Sequence, residues 1–241
     1  MIAFVAGATG YTGREVVRVL LERGIETHAH VRPDSGALSS WKSRFADLGA
    51  SIDTTAWRSE DLRASMSSIH PHLVFSLLGT TRARAARSRR GEGSAVEDSY
   101  EAVDFGLSKM LLDAAAGVEP APRFVYLSAM GVGEDPGNPY YRARWKMEQA
   151  LMRSPLPWII ARPAFISGPD REERRPAERV ASTLTDAALG ALATVGIAGP
   201  RRRYGSLTGR QLAGALVRLA LDPEASNRVL EARDLRSETR P

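Results

Sequence analysis

Cysteine is absent from the 241 residues of the sequence. This absence excludes disulfide bonds, thiolate metal sites and a cysteine nucleophile. Apolar runs of 18 or more residues are also missing, so the sequence predicts no membrane-spanning helix. The Gly-x-Ser-x-Gly pattern that carries the nucleophile of many hydrolases does not occur. His70 and His72 precede a strand without further ligands nearby, so no metal site is predicted.

An export signal is absent from the start of the sequence as well. A strand-like apolar run begins at Ile2, with no basic region and no cleavage site around it. This pattern predicts that there is no signal peptide. Together with the lack of cysteine, it leads us to expect a protein of the reducing cytoplasm.

Lysine is scarce, because only three of the 33 basic residues are lysines: Lys42, Lys109 and Lys146. The net charge of +5 favours anionic partners, and a phosphorylated cofactor satisfies that charge as well as a nucleic acid does. Arginines crowd residues 82–90 and 201–203, but no aromatic pattern interleaves them. The sequence therefore favours a solvated basic surface over nucleic-acid binding at these stretches.

Short apolar stretches alternate with helical patterns along most of the chain. Strands are predicted over 2–6, 26–32, 51–57, 72–79, 123–131, 157–163 and 227–232, and clear helical patterns occupy 61–69, 101–118, 140–154 and 208–222. This alternation predicts βαβ crossovers and a parallel sheet, that is, a doubly wound α/β fold. We expect one domain over 1–241, with residues 165–206 as a small cap on the substrate side. Ligands of such sheets bind beyond the carboxyl ends of the strands.

Three glycines stand three residues apart in "GATGYTG", residues 7–13, between the first strand and a helical pattern. Glycine lets the backbone turn tightly and approach a ligand closely. The helix that follows offers unpaired N–H groups and a partial positive charge to an anion. The Gly-x-x-Gly-x-x-Gly spacing is a variant of the dinucleotide fingerprint. The alternative is a plain strand–helix turn without a ligand.

This loop resembles that of the extended and atypical short-chain dehydrogenase/reductases, which are NAD(P)-binding Rossmann proteins. The residues that match are Gly7, Gly10 and Gly13, with Thr9, Tyr11 and Thr12 between them. Two further segments, "LLGTTR" (77–82) and "GPDREERRP" (168–176), resemble the Tat-interacting-protein group within that family. The matching segments together span most of residues 1–176.

The end of the second strand carries the signal for the choice of cofactor. An acidic residue about 20 residues beyond the glycine loop binds the ribose in NAD sites, whereas an arginine accommodates the 2′-phosphate of NADP. Arg32 stands at the carboxyl end of this strand, and Asp34 comes only after Pro33. Because a guanidinium pairs bidentately with a phosphate, we predict NADP(H) as the preferred cofactor over NAD(H). Arg14, at the helix start, is either a second phosphate contact or a solvated surface residue.

The resemblance implies further cofactor contacts at other strand ends. An acidic-apolar pair lies beside the adenine in this family, and small residues at the fourth and sixth strand ends let the backbone pass close to the cofactor. In this sequence the corresponding residues are Asp61, Leu62, Leu78, Gly79, Thr80, Pro163, Ala164 and Phe165.

The same resemblance implies a catalytic set of a serine, a tyrosine and a lysine four residues after the tyrosine. Ser128 ends the fifth strand and Tyr140 follows twelve residues later, but Arg144 stands in the lysine position. A spacing of four places Tyr140 and Arg144 on one helix face, whereas Lys146 turns away from it. The tyrosine would give a proton to a carbonyl oxygen, the serine would hold that oxygen, and the cation would favour the ionised phenol and bind the nicotinamide ribose. Arginine supplies the charge but is bulkier, planar and always protonated.

We therefore predict an NADP(H)-dependent oxidoreductase that transfers hydride to a carbonyl or related group of a small molecule. Ser128, Tyr140 and Arg144 are the predicted catalytic residues, and the last two also line the cofactor site. The alternative is a non-catalytic NADP(H)-binding sensor or scaffold, which the arginine substitution keeps open. The sequence names neither the substrate nor the oligomeric state, and it leaves a homodimer open.

Overall fold

Seven parallel strands form the sheet whose carboxyl edge carries the predicted site. A computed structural model describes residues 1–79, 99–134, 137–164, 166–167 and 207–238. The strands of this sheet are β1 (Ile2–Ala6), β2 (Glu26–His30), β3 (Ser51–Asp53), β4 (Leu73–Ser76), β5 (Arg123–Leu127), β6 (Trp158–Arg162) and β9 (Arg228–Glu231). Their order in the sheet is β3-β2-β1-β4-β5-β6-β9, and every neighbouring pair is parallel. This topology confirms the predicted doubly wound α/β fold, and the order reverses between β1 and β4.

Helices cover both faces of this sheet. On one face pack α1 (Tyr11–Glu22), α2 (Leu38–Asp47), α6 (Gly209–Leu221) and the short α7 (Ala232–Ser237). The other face carries α3 (Ser59–Ile69), α4 (Ser108–Ala115) and α5 (Pro139–Met152). In β1, Ala3 and Val5 contact the first group and Phe4 contacts the second, so the strand is apolar on both sides. A 3₁₀ turn (Pro223–Ala225) joins α6 to β9.

The predicted helix over 101–118 begins differently from a regular α-helix. Residues Glu101–Leu107 form a π-helical segment, and α4 continues from Ser108. π-helical turns are rare and are frequently found at functional sites. Asp104 of this segment is completely buried, and the segment packs against α5. The irregular turn therefore lies beside the helix that carries Tyr140 and Arg144.

Other elements also differ from the sequence-based expectation, and several strands are shorter than predicted, such as β5, which ends at Leu127 rather than at 131. Helix α2 was not predicted, because only Leu38, Trp41 and Phe45 mark its apolar face within a polar stretch. The third strand covers only Ser51–Asp53 rather than 51–57. Gly24 has a φ of 68° directly after α1, and its N–H bonds the Leu21 carbonyl, as expected for a glycine that ends a helix.

Most of the predicted cap lies outside the described residues. Within 165–206 only β7 (Ile166–Ser167) is described, and it pairs in parallel with β8 (Leu207–Thr208). Thr80, Phe165, the arginine-rich stretches 82–90 and 201–203 and the segment 168–176 also lie outside them. Among the helices of the described ranges, none combines the length and apolarity needed to cross a membrane.

Candidate cofactor and active site

The glycine loop forms a tight turn that leaves no room for a side chain at Gly7 or Gly13. Gly7 has a φ of +80°, and a Cβ placed there would lie 2.6 Å from the carbonyl oxygen of Leu77. A Cβ on Gly13 would overlap the carbonyl oxygen of Gly7, and the N–H of Gly10 donates to that same oxygen at 3.0 Å. Because Gly10 precedes α1, no side chain caps its first turn. The loop thus brings open backbone N–H groups of a helix N-terminus to the sheet edge.

The remaining loop residues divide between the core and the helix that follows β8. Thr12 is buried and Thr9 half-buried. The ring of Tyr11 packs against Gly209, where a Cβ would lie 2.6 Å from it, and the Gly209 N–H donates to the Tyr11 hydroxyl at 3.4 Å. The loop therefore contacts the first residue of α6, directly after the chain returns from residues 168–206.

Positive side chains gather near the carboxyl end of β2. Arg32 is half-exposed, and its Nη1 lies 3.6 Å from the exposed carboxylate of Asp34. In α2, the helix after Arg32, the ring of Trp41 has two guanidinium groups beside it, from Arg14 at 5.8 Å and Arg44 at 5.1 Å. These positions suit an anionic group beyond the strand end.

The predicted adenine residues lie on α3, and a histidine lies at the end of β2. Asp61 is partly exposed and accepts a hydrogen bond from Arg58 at 2.5 Å, whereas Leu62 is fully buried in the core. Burial lowers the pKa of His30, which the sequence analysis did not select. Its Nε2 lies 2.9 Å from the carbonyl oxygen of Thr55, so a neutral ring donates there. This bond ties β2 to the segment after β3.

Tyr140 is the second residue of α5 and belongs to a cluster of three tyrosines. Asn138 caps the helix by accepting from the Tyr140 N–H at 2.9 Å, and Pro139 occupies the first helical position. The Tyr140 ring meets Tyr100 edge-on at 5.4 Å and Tyr141 at 5.2 Å. All three rings are half-buried, so Tyr140 lies at an aromatic rim of the sheet edge.

Arg144 lies one turn after Tyr140, almost completely buried, and joins three parts of the chain. Its Nη2 lies 2.7 Å from Oδ1 of Asp104 and donates to the Leu78 carbonyl at 3.1 Å. Its Nη1 donates to the Leu127 carbonyl. The guanidinium thus holds the ends of β4 and β5 together.

The same guanidinium lies between two tyrosine rings. Its central carbon is 5.2 Å from the Tyr140 ring centre and 5.6 Å from that of Tyr126. Burial alone would lower the pKa of Arg144, but Tyr140, Tyr126 and Asp104 outweigh it and raise the pKa above the usual value. Burial also raises the pKa of the completely buried Tyr126, which keeps that phenol protonated. The charge of Arg144 is therefore permanent.

Other predicted residues converge on the same edge. A Cβ on Gly79 would lie 2.6 Å from Nη2 of Arg144, so a side chain there would displace the guanidinium. Pro163 follows β6, and its carbonyl accepts from the Met130 N–H at 3.0 Å, with Ala164 half-buried beside it. The loops after β4, β5 and β6 thus meet next to α5.

Ser128 is buried, and its hydroxyl contacts a carboxylate. Its Oγ donates to Oε1 of Glu148 at 2.5 Å. Glu148 is completely buried and receives two further bonds from Arg162, from Nε at 3.0 Å and Nη2 at 2.5 Å, while Arg162 also bonds Glu231 at 3.1 Å. This pairing with Glu148 raises the pKa of Arg162. Because a serine has one hydrogen to donate, Ser128 in this arrangement gives none to a carbonyl oxygen, and its predicted role stays a prediction.

Sequence reasoning missed Asp104, Glu148 and Arg162. Two signals could have found Asp104 and Glu148. Asp104 stands three residues before Leu107 and seven before Leu111, on the apolar stripe of its helical pattern. Glu148 continues the spacing of four that links Tyr140 and Arg144. Lys146, in contrast, lies 2.6 Å from Glu101 on the surface.

Metal ligands do not cluster in the described part of the chain, where no group of three His, Asp or Glu side chains comes together.

The sequence is similar to known proteins over most of its length. Residues 7–191 match the sequence model of the family described as NAD(P)H-binding. Protein fmp52, mitochondrial, of Emericella nidulans is 30% identical over 181 residues, which cover 73% of this chain and 70% of that protein. Divinyl chlorophyllide a 8-vinyl-reductase, chloroplastic, of Oryza sativa subsp. indica is 36% identical over 152 residues, 61% of this chain. The match spans only 34% of that reductase.

Solved structures share the fold. A protein described as an NAD-dependent epimerase/dehydratase from Bacillus halodurans has a TM-score of 0.66 and 19% identity, over 95% of this chain and 92% of that one. A short-chain dehydrogenase/reductase superfamily protein from Agrobacterium tumefaciens with bound NAD has a TM-score of 0.62 and 18% identity, over 95% of this chain and 76% of that one. At these identities the likeness establishes the fold.

The expected cytoplasmic location is wrong in the light of these relatives. Proteins of the fmp52 type from three fungi match this chain, and each is named as mitochondrial. The expectation failed because neither a lack of cysteine nor a missing export signal separates the cytoplasm from other reducing compartments.

Proposed function

The chain belongs to the NAD(P)H-binding family, and on that premise we propose that it is an NADP(H)-dependent oxidoreductase. Its reaction is hydride transfer to a carbonyl or related group of a small molecule. The observation that carries this proposal is the glycine loop, where backbone at Gly7 and Gly13 excludes any side chain and a helix N-terminus faces the sheet edge. Such a turn binds a pyrophosphate through backbone N–H groups.

The surroundings of Arg32 support NADP(H) over NAD(H). Arg32 and Asp34 form an exposed pair at 3.6 Å, and exposed pairs contribute little to stability. A 2′-phosphate would replace this pair with a bidentate contact. Arg14 and Arg44, both beside Trp41, add positive charge on neighbouring helices. Asp34 lies beyond the strand and is well exposed, so it does not occupy the position of a ribose-binding carboxylate.

When bound, the cofactor supplies the hydride. Tyr140 supplies the proton to the substrate oxygen, since it is the half-buried phenol nearest the permanent charge of Arg144. Arg144 acts through its charge and through the Leu78 and Leu127 carbonyls that it holds. Ser128 fixes the end of β5 through Glu148 and would orient the carbonyl only after its hydroxyl turns from that carboxylate.

Two finer assignments also belong to this proposal. The segments 77–82 and 168–176 support a place near the Tat-interacting-protein group of atypical reductases. We infer that residues 165–206 form the substrate side of one domain. Ile166–Ser167, near the start of this segment, pairs with Leu207–Thr208 directly after it, and Gly209 follows beside Tyr11.

Replacing Tyr140 with phenylalanine tests the catalytic role. We expect NADPH oxidation with a panel of aldehydes, ketones and quinones to fall by about 10²–10⁴-fold, the usual contribution of a proton donor. The matched control is Tyr141→Phe, which removes the hydroxyl of a neighbouring tyrosine whose ring centre lies 5.2 Å from that of Tyr140. This variant should keep the wild-type rate. Equal rates for wild type and Tyr140→Phe would sink the role of Tyr140.

The second candidate function is a non-catalytic NADP(H)-binding sensor or scaffold. The observation that favours it is that Ser128 and Arg144 already direct hydrogen bonds to Glu148, Leu78 and Leu127. This candidate predicts cofactor binding without NADPH oxidation across the whole panel. Turnover that depends on Tyr140 would remove it.

A further inference from the structure

The charge of Arg144 has a buried counter-charge in direct contact. Nη2 of Arg144 and Oδ1 of Asp104 are 2.7 Å apart, and the side chains are 6% and 0% exposed. Two opposite charges at this distance act on a third group mainly as a dipole, so their effect on that group is much weaker than that of a single charge. The cation beside Tyr140 is therefore largely offset by a residue of the π-helical segment.

Few other charged groups of the described residues contact Tyr140. Around its ring lie Tyr100 from the segment before the π-helical turn, Tyr141 from α5 itself, and Arg144. The same guanidinium also lies near the ring of Tyr126 in β5. The neighbouring charges on α5 point elsewhere. Lys146 pairs with Glu101 at 2.6 Å on the surface, and Glu148 pairs with Arg162. Among the described residues, Arg144 is therefore the charged side chain beside the Tyr140 ring, and Asp104 is its direct partner.

We propose that Asp104 is a positioning residue that holds Arg144 across the ends of β4 and β5 and, by offsetting part of its charge, limits how strongly Arg144 favours the phenolate form of Tyr140. The inference rests on the proposed function of Tyr140 as proton donor. It also accounts for the arginine. A guanidinium does not lose its proton, so its charge beside Tyr140 is offset by a carboxylate in direct contact rather than by deprotonation.

Asp104→Asn tests the inference, since it removes the negative charge and keeps the shape. The ionisation of Tyr140 is followed by the ultraviolet absorbance of its phenolate, as the difference between each protein and the same protein carrying Tyr140→Phe. We expect the midpoint in Asp104→Asn to lie about one pH unit below that of the wild type, because an uncompensated cation favours the phenolate. The pH profile of NADPH oxidation should move in the same direction. Equal midpoints in the two proteins would overturn the proposal.

The matched control is Glu101→Gln. It makes the same charge change in the same π-helical segment, but Glu101 pairs with Lys146 on the surface. The Tyr140 midpoint should stay at the wild-type value. A drop as large as that of Asp104→Asn would mean that net charge alone, and not the contact with Arg144, sets the midpoint, and would also overturn the proposal.

A double variant keeps the proposal testable if Asp104→Asn does not fold. Asp104→Asn with Arg144→Gln removes both charges of the pair. If the wild-type pair is neutral toward Tyr140, the midpoint should match the wild type to within about 0.3 pH unit. A rise of one pH unit or more would show that Arg144 acts uncompensated in the wild type.

The titration needs no substrate, so the two proposals fail separately. If no variant oxidises NADPH, the oxidoreductase assignment is lost and the titration still decides the effect of Asp104. If turnover depends on Tyr140 but its pH profile is the same in wild type and Asp104→Asn, only the effect of Asp104 is lost.

Discussion

At the glycine loop, backbone packs on backbone; beside Tyr140, buried charged side chains pack on one another. Gly7 approaches the Leu77 carbonyl and Gly13 approaches Gly7, and each contact depends on the absence of a Cβ. Beside Tyr140, the side chains of Arg144 and Glu148 on α5 contact groups on the π-helical turn and at the ends of three strands. In the proposed function, the glycine loop would bind the cofactor through its shape and its backbone N–H groups. The charged cluster beside Tyr140 depends on paired charges, whose loss exposes an uncompensated charge.

Removing Glu148 should have the largest effect on stability. Glu148→Ala leaves Arg162 without its main buried partner and Ser128 without its acceptor. Breaking a buried pair by removing one side costs about 3–5 kcal/mol, so the free energy of unfolding in urea should fall by that amount. Glu22→Ala breaks the exposed pair with Arg210 and should cost less than about 1 kcal/mol. Similar losses of unfolding free energy in both variants would mean that the buried pair of Glu148 and Arg162 contributes no more than an exposed ion pair.

Gly7→Ala should distort the glycine loop and weaken cofactor binding. The added Cβ meets the Leu77 carbonyl at 2.6 Å at a φ of +80°, so the loop must move. We expect NADPH affinity, measured by fluorescence titration, to fall at least about tenfold, with a stability cost of about 1–3 kcal/mol. Gly49→Ala is the matched control, because Gly49 has a φ of +90° but no atom within 4 Å of a Cβ. Unchanged NADPH affinity in Gly7→Ala would contradict the role of the loop.

Arg32→Ala should produce the smallest of these effects and the most selective one. Loss of a phosphate contact at an exposed guanidinium should weaken NADPH about tenfold, or about 1.4 kcal/mol, and leave NADH unchanged. Competition of each cofactor against a fluorescent nucleotide measures both affinities in one protein. A parallel loss of NADH affinity would place Arg32 elsewhere than at the 2′-phosphate.

The glycine loop and the charged cluster beside Tyr140 also differ in how far the sequence predicted them. The glycine loop, the strands around it and the helix end at Gly24 follow from local patterns, because each depends on residues within a few positions of one another. The sequence placed Arg144 on the face of Tyr140, but it could not show that Asp104 and the Leu78 and Leu127 carbonyls bind it. These partners are up to 66 residues away.

The π-helical turn and the partner of Ser128 were hidden for a related reason. A helical pattern over 101–118 predicts a regular helix, and only a buried carboxylate on its apolar stripe hints at the irregular turn. Ser128 at a strand end suggests a free hydroxyl until Glu148, 20 residues later, is placed beside it. Side-chain pairs between distant elements follow from the packing of helices on the sheet rather than from spacing along the chain.

The most direct test of the central claim is a calorimetric titration of the purified, folded protein, free of carried-over nucleotide, with NADPH and separately with NADH. The account predicts that NADPH binds at one site per chain and at least about tenfold more tightly than NADH, which corresponds to about 1.4 kcal/mol. Tighter binding of NADH, or binding of neither cofactor, would contradict it.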